Sequence, residues 1–287
     1  MKDSKVAGAN EYARRRSPVV AGIFYPDDPA EAKKALATFD TGLAQAQDET
    51  SDDTPAAIVA PHAGWDLSGR VAADAFRSAR HRNISTIVII GPLHRGREEG
   101  LFLSDSEIFE TPLGEIKVNL ELSAELESCG TAFMTNDLPH LEEHSIEILL
   151  PFIKNYYPEA TILPVLVSGV RASIARSLAL GLDLVVGPIA GTTLIVVSSN
   201  LCDNLSTESA NRHSRNFLAL LDQKDSDGML SALASGDISA CGTVACAALM
   251  QTRLLADRPA RLRSVSDSTS RPDHDPRKLV RYAALSF

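Results

Sequence analysis

Four short apolar runs constrain the fold more than anything else in the chain: AAIVAPH (56–62), STIVIIGP (85–92), ATILPVLVSG (160–169) and TTLIVVSSN (192–200). Each stays apolar at successive positions rather than alternating, and each is closed by Gly, Pro, Ser or Asn. That is the pattern of strands covered on both faces. Between the runs lie segments with helical spacing: GRVAADAFRSAR (69–80), EHSIEILLPFIKNYY (143–157) and SIARSLALGLDLVV (173–186). The alternation predicts an α/β fold with a mainly parallel central sheet flanked by helices. LFLSDSEIFETPLGEIKVN (101–119) has no helical period and carries Pro112 and Gly114, so a hairpin-like excursion is expected there.

Two polar tracts, QAQDETSDDTP (45–55) and SDSTSRPDHDPRK (266–278), read as surface loops. Neither separates two segments that could each hold a core. Residues 1–287 are therefore expected to form a single domain, with 1–16 as a flexible N-terminal arm. At 44% hydrophobic residues the chain can bury a substantial core. The net charge is -9 and the basic residues are scattered, apart from Arg14, Arg15 and Arg16, which argues against nucleic-acid binding. Cys129, Cys202, Cys241 and Cys246 form no CxxC pair, so reduced thiols and a cytoplasmic location are expected. The first twenty residues lack an apolar h-region, and no apolar run approaches the roughly 20 residues a bilayer crossing needs. Neither a signal peptide nor a membrane span is expected.

Open parallel sheets bind ligands beyond the carboxyl ends of their strands. Three of the runs deliver polar side chains there: His62, His94, and the segment SSNLCD (198–203) with Asn200, Cys202 and Asp203. A fourth contributor is Cys241, placed at or just before the N-terminus of a helix running from Val244, where unsatisfied amides and the macrodipole favour a thiolate. Cys246, among alanines inside that helix, reads as a small buried hydrophobe. Two imidazoles and a thiolate can take Fe(II), Cu or Zn(II), and ligand softness does not decide among them. Asp66 and Asp203 are the carboxylates nearest in sequence to the proposed site loops. In HLEEHSIEILLPF (140–152), His144 and Glu147 lie one helical turn apart and could line the site together. The plainer alternative is an acidic first turn favoured by the helix dipole, with His144 partly exposed. Trp65 and Phe109 are candidate pocket walls, while His81, His213 and His274 read as solvated.

SPVVAGIFYPDDP, APHAGWDLSG, GPLHRG, FETPLGEIKVN, EEHSIEILLPFI, LPVLVSG and ACGTVA, in this order over nearly the whole chain, resemble the Memo family. In prokaryotes that family includes the AmmeMemoRadiSam system protein B. The resemblance implies a single-domain fold similar to class III extradiol dioxygenases, which use non-haem iron. It also implies a metal-binding set at His62, His94 and Cys241, and it places His144 and Glu147 in a shared motif. One departure matters. The family usually reads SSDFSH where this chain has SSNLCD, so Asn200 stands in place of an Asp and Asp203 in place of a His. In the dioxygenase comparison that histidine is the acid/base group, a task that suits an imidazole near neutral pH. Asp203, His144 or His140 would have to take it over.

The leading expectation is a metalloprotein with iron or copper, zinc being the lesser candidate, acting by redox or oxygenase-type chemistry on a small molecule. His144, Asp203 and Asn200 are the expected catalytic contacts, and Trp65, Glu147 and Cys202 the expected pocket residues. A second expectation is a binding or adaptor protein with a vestigial cleft, for which Arg70, Arg95 and Arg97 are the phosphate-binding candidates. A third is a zinc hydrolase with an open fourth position. The family's system name implies association with AMMECR1-like and radical SAM proteins.

Overall fold

The computed structural model describes residues 13–41, 54–80, 82–96, 98–270, 275 and 277–287. His81, Arg97, His274, most of the 45–55 tract and residues 1–12 of the expected arm lie outside them. The four apolar runs become strands β2 (Ala57–Ala60), β3 (Thr86–Pro92), β8 (Thr161–Ser168) and β9 (Thr193–Ser198), numbered in chain order. They pair in parallel in the order β2, β9, β3, β8. Their continuous apolarity follows from this position. Ala57 and Val59 face one core cluster while Ile58 and Ala60 face the other, all within 2% of full burial.

The sheet is mixed rather than purely parallel. On one side β2 is flanked antiparallel by β12 (Leu279–Ser286), which pairs in turn with β10 (Cys202–Leu205) and β11 (Arg261–Asp267). On the other side β8 meets β4 (Gly100–Leu103) antiparallel, and β4 carries β7 (Phe133–Thr135) at the far edge. The 101–119 excursion contributes the expected hairpin, β5 (Ile108–Thr111) and β6 (Gly114–Lys117), with Gly114 at φ +120° in the turn.

Helices α1 (Pro29–Asp40), α2 (Trp65–Ser78) and α5 (Leu150–Tyr156) cover one face. The other face is covered by α3 (Leu120–Ser128), α6 (Ala172–Gly181), α7 (Thr207–Asp222), α8 (Ser226–Ser235) and α9 (Thr243–Gln251). The remaining helix, α4 (Leu138–Glu142), is short and leads into the site. Helical structure continues past α6, and Ala172–Thr192 is 21 residues with mean hydropathy 1.5, long and apolar enough by composition to cross a membrane. The sequence reading overlooked this stretch. Here it lies on the domain with 44% of its most apolar window buried.

Three other expectations are corrected. Arg15 and Arg16 are not part of a free arm: they form β1 (Arg15–Arg16), parallel to β5, and Arg16 is buried. The segment 143–157 is not one helix. Pro151 has no N–H to donate into a preceding turn and fits only the first turn of a helix, so α5 starts at Leu150 and a single tighter turn, Glu147–Leu149, precedes it. His144 and Glu147 therefore share no helix face. His213 is buried in α7 rather than solvated, because the inner face of that helix packs on the sheet beside Phe217 and Leu221.

Candidate metal centre

Because β2, β9 and β3 are adjacent and parallel, their carboxyl ends open at one edge. Ala60 at the end of β2 is in register with Ser198 at the end of β9, so His62 leaves the sheet beside Ser198. His94 leaves β3 two residues after Pro92, and Cys241 arrives from the opposite direction, just before Gly242, the N-cap of α9. One nitrogen from each ring and the Cys241 sulfur lie within 4.8 Å of one another. The His62 and His94 rings meet edge to face with centroids 5.2 Å apart.

The proton inventory fixes how each ring is presented. Ser198 Oγ donates to Ser145 O at 2.6 Å, which uses its only proton. At 2.7 Å from His62 Nδ1 it must then accept, so His62 carries its proton on Nδ1. Nε2 faces Cys241 Sγ at 3.2 Å. A cation held between the two groups would displace any proton they share, as metal binding to imidazole and thiolate does generally.

His94 is oriented by a carboxylate. Glu143 accepts from His94 Nδ1 at 2.9 Å and His94 N at 2.7 Å, and also from the amides of His144 and Ser145. His144 Nδ1 adds a contact at 3.2 Å to the same oxygen, Oε1. The His94 and His144 rings consequently lie nearly parallel, centroids 4.9 Å apart, with both Nε2 atoms turned away from Glu143. Carboxylate-to-imidazole contacts of this kind orient metal-ligating histidines and raise their basicity. Burial alone would raise the Glu143 pKa, but the His144 and His94 hydrogen bonds hold it far below the usual carboxylate range.

Sequence reasoning missed Glu143. It treated the acidic residues of EEHSIE as dipole-favoured, yet Glu143 caps the carboxyl end of α4, where the dipole opposes it. The donors that stabilise it are four groups from His94 and His144 and the Ser145 amide. Ser198 and Ser145 were missed as well, since a serine closing an apolar run reads as a turn.

Burial alone would raise the Cys241 thiol, but the His62 and His94 imidazoles and the Asn200 amide, 3.1 Å from Sγ, bring it down to about 5. Burial likewise opposes a charge on His94, but the hydrogen bonds to Cys241 and Glu143 carry it up to about 10. The Cys241 thiolate and the His94 imidazolium therefore stabilise one another. The sign for Cys241 follows from its depressed value: its stabilisation is complete above the unfolded pKa of about 8.5 and is lost as pH falls through 5. Alkylation of Cys241 by iodoacetamide is expected to show a midpoint near pH 5. A midpoint near the unperturbed thiol value would contradict the arrangement. Cys129, partly exposed and with its thiol pushed up by burial, is the internal reference.

Gly242 explains how Cys241 gets this close. A Cβ there would sit 2.5 Å from Ser199 Cβ and 2.9 Å from Ser198 O, and the Gly242 amide donates to Ser199 Oγ at 2.9 Å. Gly242→Ala is expected to push the loop off β9, costing about 1–3 kcal/mol of stability by overpacking. Any metal affinity of the cluster should also fall about 10-fold, as loss of a ligand's support does. Denaturant titration and metal titration of the variant check both effects.

The remaining sequence candidates are dispersed. Asn200 is at the centre: its Oδ1 accepts from His62 N at 3.2 Å. Asp203 is exposed on β10, and Asp66 is exposed in the first turn of α2. Cys202 is fully buried in a small cluster with Ala210 and Leu279. Trp65 belongs to the core, stacked on Tyr25 and donating its indole N–H to Ile148 O. Glu147 is buried behind the site against Arg16. Phe109 is buried beneath the Arg16 guanidinium, and His140, buried and donating Nε2–H to Phe102 O, is held down to about 4 by desolvation. His144 borders a cleft of about 650 Å³ together with His94, Leu93, Phe24 and Arg95.

The sequence profile of the family described as Memo-like protein matches residues 16–285. The chain belongs to the Memo family. A MEMO1 family protein of Desulfurococcus amylolyticus is 32% identical over 96% of this chain and 99% of its own length. The MEMO1 family protein MK0963 of Methanopyrus kandleri is 30% identical over 95% and 98%, and a MEMO1 family protein of Thermotoga maritima is 30% identical over 79% and 84%. The Memo match takes in every residue of the His62–His94–Cys241 cluster.

Proposed function

We propose that this Memo-family chain holds iron or copper through His62 Nε2, His94 Nε2 and Cys241 Sγ and uses it for redox or oxygenase-type chemistry on a small molecule. The carrying observation is the proton inventory: each histidine has its Nδ1–H engaged by an acceptor, Ser198 or Glu143, so both rings present Nε2 toward one thiol of depressed pKa. Two imidazoles and one thiolate fit a transition metal of intermediate softness, and an oxygen-rich site for magnesium or calcium would look different. When bound, such a metal supplies a redox-active Lewis acid.

The chain's own groups would do the rest. The adjoining cleft has the volume of a small-molecule site, with Leu93 and Phe24 as apolar wall. His144, anchored through Nδ1 by Glu143 and packed edge-on against Phe24 at 5.3 Å, presents Nε2 for proton transfer. It would thereby assume the task that Asp203, turned to solvent, does not perform. Asn200 holds the His62 backbone and the Cys241 sulfur in place.

The test is anaerobic purification, reconstitution with Fe(II) or Cu(I), desalting and elemental analysis. Near-stoichiometric iron or copper, followed by oxygen uptake in a substrate screen, supports the reading. Retention of neither metal overturns it, and retention of zinc alone with no redox activity points to hydrolysis.

A further inference from the structure

The buried pair Arg16–Glu147 has no part in metal ligation, yet its hydrogen bonds end on both sides of the cleft. Arg16 is 2% exposed. Its Nε donates to His140 O at 3.0 Å, its Nη2 to Glu143 O at 2.9 Å, and its Nη1 to Ser17 O at 3.1 Å and to Glu147 Oε2 at 2.5 Å. Glu147 accepts in turn from the amides of Val19 and Val20 and from Tyr25 Oη, each at 2.9 Å on Oε1. The guanidinium thus fixes the backbone of the loop whose carboxylate orients His94 and His144. The carboxylate fixes the segment 19–25, whose Val19, Val20 and Phe24 line the cleft.

We infer that the Arg16–Glu147 pair is a positioning device that sets the Glu143–His144 loop and the N-terminal wall of the cleft relative to one another. The planar fork of arginine is essential to this: four acceptors in different directions are served at once, which a lysine ammonium with three donors on a flexible stem cannot reproduce. Arg16 and Glu147 act through Glu143 and Phe24, and neither touches the metal ligands.

The inference rests on the metal reading above for one of its two readouts only. The first readout uses Co(II) alone as probe, with Arg16→Met/Glu147→Met, in which both charges are removed so that neither is left buried without its partner. Co(II) affinity is expected to fall about 10-fold, the effect typical of losing a support behind a ligand, with a changed visible spectrum and a cooperative denaturation transition retained. Wild-type affinity and spectrum in that variant would overturn the inference. The second readout needs no metal: hydrogen exchange at the His144 and Ser145 amides, both bonded to Glu143, in Arg16→Lys. Selective acceleration there, with exchange in β3 and β9 unchanged, supports positioning, and uniform acceleration or none overturns it. If the wild-type protein retains none of iron, copper and Co(II), the metal reading falls while the exchange experiment still decides this one. If the double variant does not fold, Arg16→Lys decides it alone.

Discussion

On the proposed function, His62→Ala/Cys241→Ala is expected to bring the iron or copper retained after reconstitution down to background while the chain keeps its fold. Two of the three ligands are gone, and the groups left beside His94, Glu143 and His144, are already bonded to one another through Glu143 Oε1 and the two Nδ1 atoms, which leaves no thiolate and no closed set of three free ligands. The fold is expected to survive because neither side chain belongs to the apolar clusters on the two faces of the sheet. Ser198 keeps its bond to Ser145 O when His62 is lost, and Cys241 sits half-buried in a loop outside the sheet. Elemental analysis of anaerobically prepared wild type and variant, with far-UV circular dichroism of both, checks the result. Metal retained by the variant at the wild-type level would place the binding elsewhere.

Glu147→Ala is the most destabilising single change expected, at about 3–5 kcal/mol, the usual cost of stripping one partner from a buried ion pair. Against the 5–15 kcal/mol by which a domain is ordinarily stable, that loss threatens the native state. It leaves Arg16 with its three carbonyl acceptors but no counter-charge, and it takes the acceptor from two amides and the Tyr25 hydroxyl. Arg16→Ala should cost less, because Glu147 then keeps those three donors. Replacing both by methionine should recover most of the loss. Urea denaturation of the three variants tests the order, and a Glu147→Ala midpoint equal to wild type would show that the pair contributes nothing to stability.

Much of the fold was legible because a strand buried on both faces leaves an unbroken apolar run, as β2, β3, β8 and β9 do. The same logic located His62, His94 and Cys241, since each follows or precedes an element whose boundary Gly or Pro marks. The flanking antiparallel strands were harder to see. β10 is four residues of mixed polarity, and β12 gains its place by pairing with β2 across the whole sequence as well as with β10 and β11. The supporting residues were illegible for a related reason. Glu143 looks like any surface carboxylate until His94, 49 residues earlier, folds onto it, and Arg16 looks like part of a basic arm until it meets Glu147, 131 residues on. Periodicity reports on neighbours along the chain, and these contacts are between distant ones. The helix expected over 143–157 failed locally, where Pro151 outweighs an otherwise favourable pattern.

The span between His62 and Cys241, 179 residues, has a consequence for how a metal held as proposed would be acquired. Neither ligand lies near the other until β2, β9 and β3 are assembled and α9 has docked, so a nascent chain emerging from the ribosome offers no chelating pair. Under the proposed ligation, loading would follow folding, and the ion would act as a clasp between the first and last thirds of the molecule. An ion that bound the assembled form alone, at 100 times its dissociation constant, would add about 2.7 kcal/mol to the native state. Metal supply would then bear on the stability of the fold as well as on the proposed chemistry.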